Sequence, residues 1–592
     1  MTSTQIILFL ILAATLLGFV WGRWRYDVVA GVALLAAVYL GVVPPENAFL
    51  GFSHPAVVSV AAVLVISRAL QETELVNWLV RMLAPARLTP TTQVAAGSGL
   101  TLLLSAVMNN IGALALMLPV TIRNASLAKR PASLLLIPLS FASLLGGLIT
   151  LIGTPPNLVI SAFRAEHVGK PFLMFDFTPV GLTIAIIGLV YLALVGWRLI
   201  PARETEQSAK RLLRKLTPFV AEVRLPEGSS FNDRQVRHVE EICGNEVTIM
   251  TVLRHGEEIL APRPIALLRA GDILVIKGEP DIWEPLCDGK QFDLLSRNNV
   301  DDLAIRLQDA VIAEAVVMPN SALETRSARN MRMHTDYGVN LLALARRGEP
   351  QSRLKDWEFQ VGDTLLVQGE RNTLERALAD LGCLILADGG GTAKAQKKGL
   401  LLPLAIFAVA LVAAGLGLVS VPISLVSAVA ALILARTISL QDAYESIDWP
   451  ILVLIGALMP IGQAMTSTGA AGHIASQLVA LAGVMPLWAI IGLVMAVSMW
   501  LSDLIHNTPT AVIMAPISAG IAEGLQLSID PFLMAVAVGS ASAYLTPIGH
   551  QSNTLVMGPG ASRFTDYTRV GSGLELLILL VGVPMILFVW PA

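Results

Sequence analysis

Two asparagines stand at the same place in two otherwise apolar segments: Asn110 in SAVMNNIGALALMLPV (105–120) and Asn507 in SDLIHNTPTAVIMAPI (502–517). Ser105 and Ser502 precede them at equal distance, and Pro119 and Pro516 follow at equal distance. Asn109, His506 and Thr508 lie beside them, and Asp503 falls one turn before Asn507. A second matched pair of polar interruptions is GTPPN (153–157) against GHQSN (549–553), with Gly153, Pro155, Gly549 and His550 inside and Pro547 just ahead. Amide, hydroxyl and carbonyl oxygens at such breaks suit a sodium ion, while helix N-terminal N–H groups suit an anion. No Arg or Lys occurs at any of the four, so an anion there has to be held by partial charges together with a co-bound cation. The chemistry is that of binding. HExxH, GxSxG and P-loop motifs are absent, and no nucleophile has an evident base beside it, so an enzyme is the weakest reading.

Each candidate also has a structural role to weigh. Asn110 and Asn507 are good helix caps, but their recurrence in both segments favours a site. His506 and His550 are either packing residues or titratable coupling groups. An unpaired Asp503 near the bilayer centre would cost about 2.5–3.5 kcal/mol, which puts it in a wet vestibule or at a coupling site. His54 and Asp448, beside Pro55 and Pro450, are read as helix starts.

The elements that position these residues follow from composition. Of 592 residues 54% are hydrophobic and 14% charged, against about 25% charged in soluble domains. A net charge of -3 gives no surplus for a nucleic-acid partner. Cys243, Cys287 and Cys383 show no CxxC spacing, so disulfides and cysteine-bound metals are not expected. The apolar run Thr4 to Val20 lacks a basic start and is read as a retained helix. Three blocks result: apolar 1–200, polar 201–398, apolar 399–592. Arg198, Arg203, Lys210, Arg211, Arg214 and Lys215 mark one boundary and Lys394, Lys397 and Lys398 the other, which places both in the cytoplasm.

The apolar blocks repeat each other with an offset near 396: ENAFLGFSHPAVV (46–58) lies over QDAYESIDWPILV (441–453), and the helix from 178 over that from 573. Predicted crossings are 5–20, 28–43, 55–70, 133–164 and 178–200, with 92–122 a re-entrant hairpin whose tip is Asn109 and Asn110. Five crossings are odd, so the two repeats are inverted. Arg23, Arg25, Arg68, Arg81, Arg87, Arg123, Lys129 and Arg130 then fall inside, while 41–54, 467–488 and 521–531 lack Lys and Arg and fall outside, as do both termini. The expected fold is a membrane all-α protein with inverted repeats and two re-entrant hairpins, plus an inserted cytosolic α+β domain pair. In the middle block RAGDILVIKGEPD (269–281) recurs as QVGDTLLVQGERN (360–372), aligning Gly271 with Gly362, Asp272 with Asp363 and Gly278 with Gly369. The divisions are 1–200, 201–300, 301–398 and 399–592. GxGxxG is absent, so a dinucleotide-binding Rossmann half is not indicated.

MNNIGALALMLP, HNTPTAVIMAP and GTPPN resemble the signatures of the divalent anion:sodium symporter family, and TPIGHQSNTLVMGPG with RFTDYTRVG resembles its sulfate-permease-like branch, across essentially the whole chain. The resemblance implies sodium-coupled, elevator-type transport of a small divalent anion, sulfate first and a di- or tricarboxylate or sulfonate next. It implies a multi-pass protein in a bacterial inner membrane, surrounded by lipid and forming a homodimer. Ser105, Asn109, Asn110 and Gly153 would line one sodium site, and Ser502, Asn507 and Gly549 the other. Asn110, Asn507, Thr508, Pro155 and Pro547 would face the substrate, with Asp503, His506 and His550 as possible coupling groups. Asn109 and Ile111 stand where that family has Ser and Thr, and His506 replaces the second Ser. Ile111 removes a hydroxyl, which counts against a dicarboxylate. The middle units resemble the C-terminal module of RCK domains in two copies, which implies dimerisation and, in some cases, a nucleotide effector. Two other classes stay open: an RCK-gated channel or metalloid-ion pump component, and a sensor that has lost transport.

Overall fold

The computed structural model describes residues 2–21, 24–71, 89–202, 220–243, 247–254, 257–260, 262, 265–277, 280–297, 311–319, 321–328, 330–331, 333–346, 349–350, 357–369, 371–388, 402–470, 472 and 485–592. Arg23, Arg81, Arg87, Gly278 and the boundary charges Arg203, Lys210, Arg211, Arg214, Lys215, Lys394, Lys397 and Lys398 lie outside them.

The first apolar block forms α1 (Ser3–Trp21), α2 (Tyr26–Tyr39), α3 (Pro55–Gln71), α4 (Pro90–Ser105), α5 (Asn110–Leu127), α6 (Ser133–Gly147), α7 (Pro155–Val168) and α8 (Thr178–Leu194). The third forms α9 (Leu402–Gly415), α10 (Val421–Leu434), α11 (Leu440–Glu445), α12 (Trp449–Ser467), α13 (Leu487–Ile505), α14 (Asn507–Gly524), α15 (Asp530–Ser540), α16 (Gln551–Met557) and α17 (Phe564–Val589). Pro90 and Leu487, Asn110 and Asn507, Ser133 and Asp530, and Pro155 and Gln551 open matched helices. Among the described residues, four stretches are long and apolar enough to cross a membrane: Pro45–Leu70, Trp449–Ser467, Leu487–Ile505 and Phe564–Val589. Leu17, Val409, Leu434 and Phe588 point outward, as lipid-facing side chains do when no water must be satisfied. At one end Arg164 donates two hydrogen bonds to Asp530, 2.7 and 2.8 Å, and ties α7 to α15.

The predicted crossing at 133–164 is two helices, α6 and α7, with non-helical residues 148–154 between them. The interruptions expected at 153–157 and 549–553 shift accordingly. Pro155 is the first residue of α7, where a missing N–H costs nothing, so the break precedes GTPPN's prolines. In the other half the break covers 541–550. Close approach keeps the first break in place: a Cβ on Gly153 would come within 2.5 Å of Gly147 O, and one on Gly147 within 2.5 Å of the Asn110 amide.

The middle block forms β1 (Val220–Arg224), β2 (Thr248–Arg254), β3 (Glu257–Leu260), β4 (Ile273–Lys277) and β5 (Asp293–Arg297), then β6 (Val311–Val317), β7 (Asn340–Arg346), β8 (Glu349–Pro350), β9 (Thr364–Gly369) and β10 (Cys383–Asp388). The first sheet runs β3-β2-β4-β1-β5 and the second β8-β7-β9-β6-β10, with every pairing antiparallel. The duplication read from two Gly-Asp turns therefore extends to the strand order. Gly271 (φ 87°) and Gly362 (φ 84°) both take the left-handed conformation that a Cβ disfavours. Asp272 and Asp363 each accept two hydrogen bonds from an arginine, Arg254 and Arg346 respectively.

Cys243 and Cys383 are buried and Cys287 is half-buried, all as free thiols. Burial pushes the Cys383 thiol up to about 12, so it carries almost no reactive thiolate at neutral pH. Maleimide treatment of the folded protein is expected to modify Cys287 alone, with Cys243 and Cys383 reacting only after denaturation, as peptide mass spectrometry would read.

Candidate functional site

In the first half, α4 stops at Ser105 because the chain must turn into α5. Asn109 caps α5 by accepting from the Gly112 N–H at 2.7 Å. That bond takes one of the two lone pairs of its side-chain oxygen. Asn110 instead turns inward and is buried. Ser105 Oγ lies 2.8 Å from its amide and donates to Ser143 O at 2.6 Å.

His550 decides which way that amide faces. His550 caps α16: its Nδ1 accepts from the Ser552 N–H at 3.0 Å, so the neutral ring carries its proton on Nε2. Nε2 is 3.3 Å from the Asn110 amide and needs an acceptor there. Asn110 therefore offers its oxygen to His550 and its nitrogen to Ser105 Oγ (2.8 Å), Ser143 O (3.0 Å) and Gly153 O (3.2 Å). The nitrogen sits where three oxygens converge. Rotating the amide by half a turn makes a cluster of four oxygens, the donor set of a hard cation.

The second half repeats the arrangement. Ser502 Oγ lies 3.1 Å from Asn507 Oδ1 and donates to Ser540 O at 2.5 Å. Asn507 Nδ2 is buried and lacks a hydrogen-bond acceptor among the described residues. Thr508, the next residue of α14, is also buried. A Cβ on Gly549 would lie 2.9 Å from Ser502 O, so only glycine lets the break approach this closely. The halves also differ in the residue before each asparagine. His506 adopts φ 76°, ψ 158°, a region that glycine almost alone populates, and holding it there costs of order 1–3 kcal/mol. Asn109, its counterpart, is extended at φ -67°.

Side chains beyond the predicted set brace the breaks. Asn157 Nδ2 donates to Thr150 O at 2.9 Å and Gly147 O at 3.3 Å. Asn553 Nδ2 donates to Ala543 O at 2.9 Å and Thr546 O at 3.1 Å. Thr150 Oγ1 donates to Ala106 O at 2.6 Å, and Thr546 Oγ1 to Asp503 O at 2.8 Å. Asp503 is buried rather than in a wet vestibule. Its Oδ1 accepts from the N–H groups of Leu545 (3.0 Å) and Thr546 (3.3 Å), and Glu575 lies beside it and accepts from the Tyr544 N–H at 3.3 Å. Pro155 begins α7, and Pro547 lies in the second break with its carbonyl accepting from Thr554 Oγ1 at 2.6 Å. The halves meet through Asn110 and His550, through Ser140 Oγ donating to Asn553 Oδ1 at 2.7 Å, and through Phe141 against Tyr544 at 5.0 Å between ring centroids. Asn157 and Asn553 close the two matched pentapeptides, so the repeat already pointed to them. Glu575 gave no such signal.

Paired, oxygen-lined breaks among apolar helices are the apparatus of a membrane transporter. The sequence matches the Citrate transporter family over residues 16–539, and the chain belongs to that family, which is one of transporters and not of enzymes. It is 29% identical to an uncharacterized transporter of Escherichia coli, over 98% of each chain, and 29% identical to one of Synechocystis, over 95% of this chain and 94% of that one. Sodium/sulfate cotransporter 1 of Chlamydomonas reinhardtii is 29% identical over 45% of this chain and 32% of its own length. The crystal structure of the Alcanivorax borkumensis YdaH transporter covers 95% of this chain and 90% of its own at TM-score 0.43 and 14% identity.

Replacing Asn157 or Asn553 by Ala strands two carbonyls each, at about 1–3 kcal/mol per stranded group. Both variants are expected to unfold at lower temperature in detergent than the parent. Asn553→Ala should show the larger drop, because it also loses the bond from Ser140.

Proposed function

We propose that this transporter is a secondary symporter that couples sodium to a small divalent anion, sulfate first and a di- or tricarboxylate or sulfonate next. The carrying observation is that Ser105, Asn110 and Ser143 are placed as Ser502, Asn507 and Ser540 are, each serine beside its asparagine amide and donating to the second serine's carbonyl, and that Asn110 reaches across to His550. The matched helix starts support inverted repeats in which α4–α5 and α13–α14 are re-entrant hairpins. In this reading Asn110 with Ser105, Ser143 O and Gly153 O holds one sodium ion, and Asn507 with Ser502, Ser540 O and Gly549 holds the other.

Because the ion needs the Asn110 oxygen, its arrival turns the amide and frees His550 Nε2–H. Ion binding in one half thereby alters what the other half offers an anion. The N-terminal ends of α5, α14, α7 and α16, with Thr508, Pro155 and Pro547 beside them, supply the positive ends of helix dipoles. With no cation fixed at these breaks, the anion is bound well only when sodium is present. Alternating access, an inner-membrane setting with both termini outside, a homodimer and a nucleotide effector on the middle units complete the proposal. The sulfate preference draws on the Chlamydomonas relative and the carboxylate alternative on the family name.

Uptake of labelled sulfate, succinate, citrate and a sulfonate into proteoliposomes, with and without a sodium gradient, tests this. Saturable uptake of one of them that disappears without sodium is expected. Sodium-independent flux would overturn the coupling, and large single-channel currents would replace the symporter by a channel. Asn110→Ala and Asn507→Ala should each lower uptake about tenfold or more, the loss of about 1.4 kcal/mol or more of binding. Near-normal uptake by either, at normal yield, would remove its assigned role.

A further inference from the structure

The two Gly-Asp turns are copies with different neighbours. Gly271 donates to Leu225 O at 2.8 Å and Gly362 to Val317 O at 3.0 Å, in equivalent places. A Cβ on Gly271 would meet nothing within 4 Å, whereas one on Gly362 would overlap the carbonyl of Thr554 on α16. From the other side, a Cβ on Gly558 would overlap Gly362 O and come 3.1 Å from Thr364 Oγ1. Two glycines thus allow backbone-to-backbone contact between the second middle unit and the end of α16.

The strands beside this contact are built for it. Along β10, Cys383 and Ile385 pack into the unit's own core, while Leu384 and Leu386 pack with the apolar core of the membrane helices. Along β6, Ala313, Ala315 and Val317 face inward, and Val316 joins the membrane-helix core with Met318 against it. This is the two-residue alternation of a strand with both faces buried. β10 lies against α5, whose last turns carry Arg123. In the first unit the residue equivalent to Val316 is Arg224, and that unit's core stays separate from the membrane helices. The two helices gripped by the second unit, α5 and α16, are those that open at Asn110 and His550, which touch each other at 3.3 Å.

We propose that the second middle unit is latched through Gly362 and Gly558 to the pair of helices bearing Asn110 and His550, so that unit and site move as one body. The latch positions the site and sets turnover, while the first unit, free at Gly271, does neither. The inference rests on the chain being a transporter and not on the choice of anion or coupling ion.

The test uses the full-length protein in three variants and two readouts. Gly271→Ala and Gly362→Ala share the same backbone strain, so their difference isolates the contact. Gly558→Ala attacks it from α16, where φ is -64° and Ala fits the backbone. By hydrogen-exchange mass spectrometry, Gly362→Ala and Gly558→Ala should speed exchange about tenfold in peptides covering 359–369 and 551–562, the mark of a lost local closure. Gly271→Ala should leave both peptides unchanged. For whichever anion is carried, the first two variants should lower Vmax about fivefold with KM nearly constant, the signature of a lost conformational step rather than lost binding. Should Gly558→Ala fold poorly, Leu384→Asp breaks the neighbouring packing of β10 on the membrane helices and must give the same pattern. Unchanged exchange in Gly558→Ala would abolish the latch. Faster exchange with wild-type Vmax would leave a contact without a positioning role, and equal effects from Gly271→Ala would reduce the result to strain.

Discussion

A helix interrupted among apolar neighbours exposes N–H and C=O groups that water cannot reach, and each must find a partner inside the protein. Much of the interior is arranged around that demand. Asn157 and Asn553 serve the carbonyls of the two breaks, Thr150 and Thr546 serve the ends of the helices packed beside them, and Asp503 takes up two N–H groups. The braces leave a few polar atoms over. Asn507 Nδ2 lacks an acceptor among the described residues, and the Asn110 amide sits among three oxygens.

The halves agree in hydrogen bonds more closely than in sequence. Ser105 and Ser502 bond forward to an asparagine and across to the carbonyls of Ser143 and Ser540. They differ where a difference has consequences. Asn109 is an ordinary extended cap, whereas His506 is held in a glycine-like conformation with its ring near Tyr26. The matched positions are therefore alike in their serine contacts and unlike in the backbone before each asparagine.

The middle units show a second duplication with the same outcome. Strand order, glycine conformation and the arginine-aspartate pair are kept in both copies. The outward face is not: Arg224 in one copy stands for Val316 in the other, and only the apolar version packs against membrane helices. A charged residue facing lipid-adjacent helices would have to be desolvated without a partner, which opposes such packing by the first unit.

Much was written in the sequence. Apolar length and the paired polar interruptions located the helices and the asparagines, because hydrophobic patterning and a repeated motif are local properties. The Gly-Asp repeat likewise identified two β units. The chain order could not say that Asn109 caps while Asn110 turns into the interior, since neighbouring asparagines differ only in which way the backbone turns them. Nor could it reveal that 133–164 is two helices, that Glu575 backs Asp503, or that His550 meets Asn110 from the far half. Those facts depend on which distant groups are close enough to complete a hydrogen bond, and in an apolar interior that closeness exists only once the halves have packed.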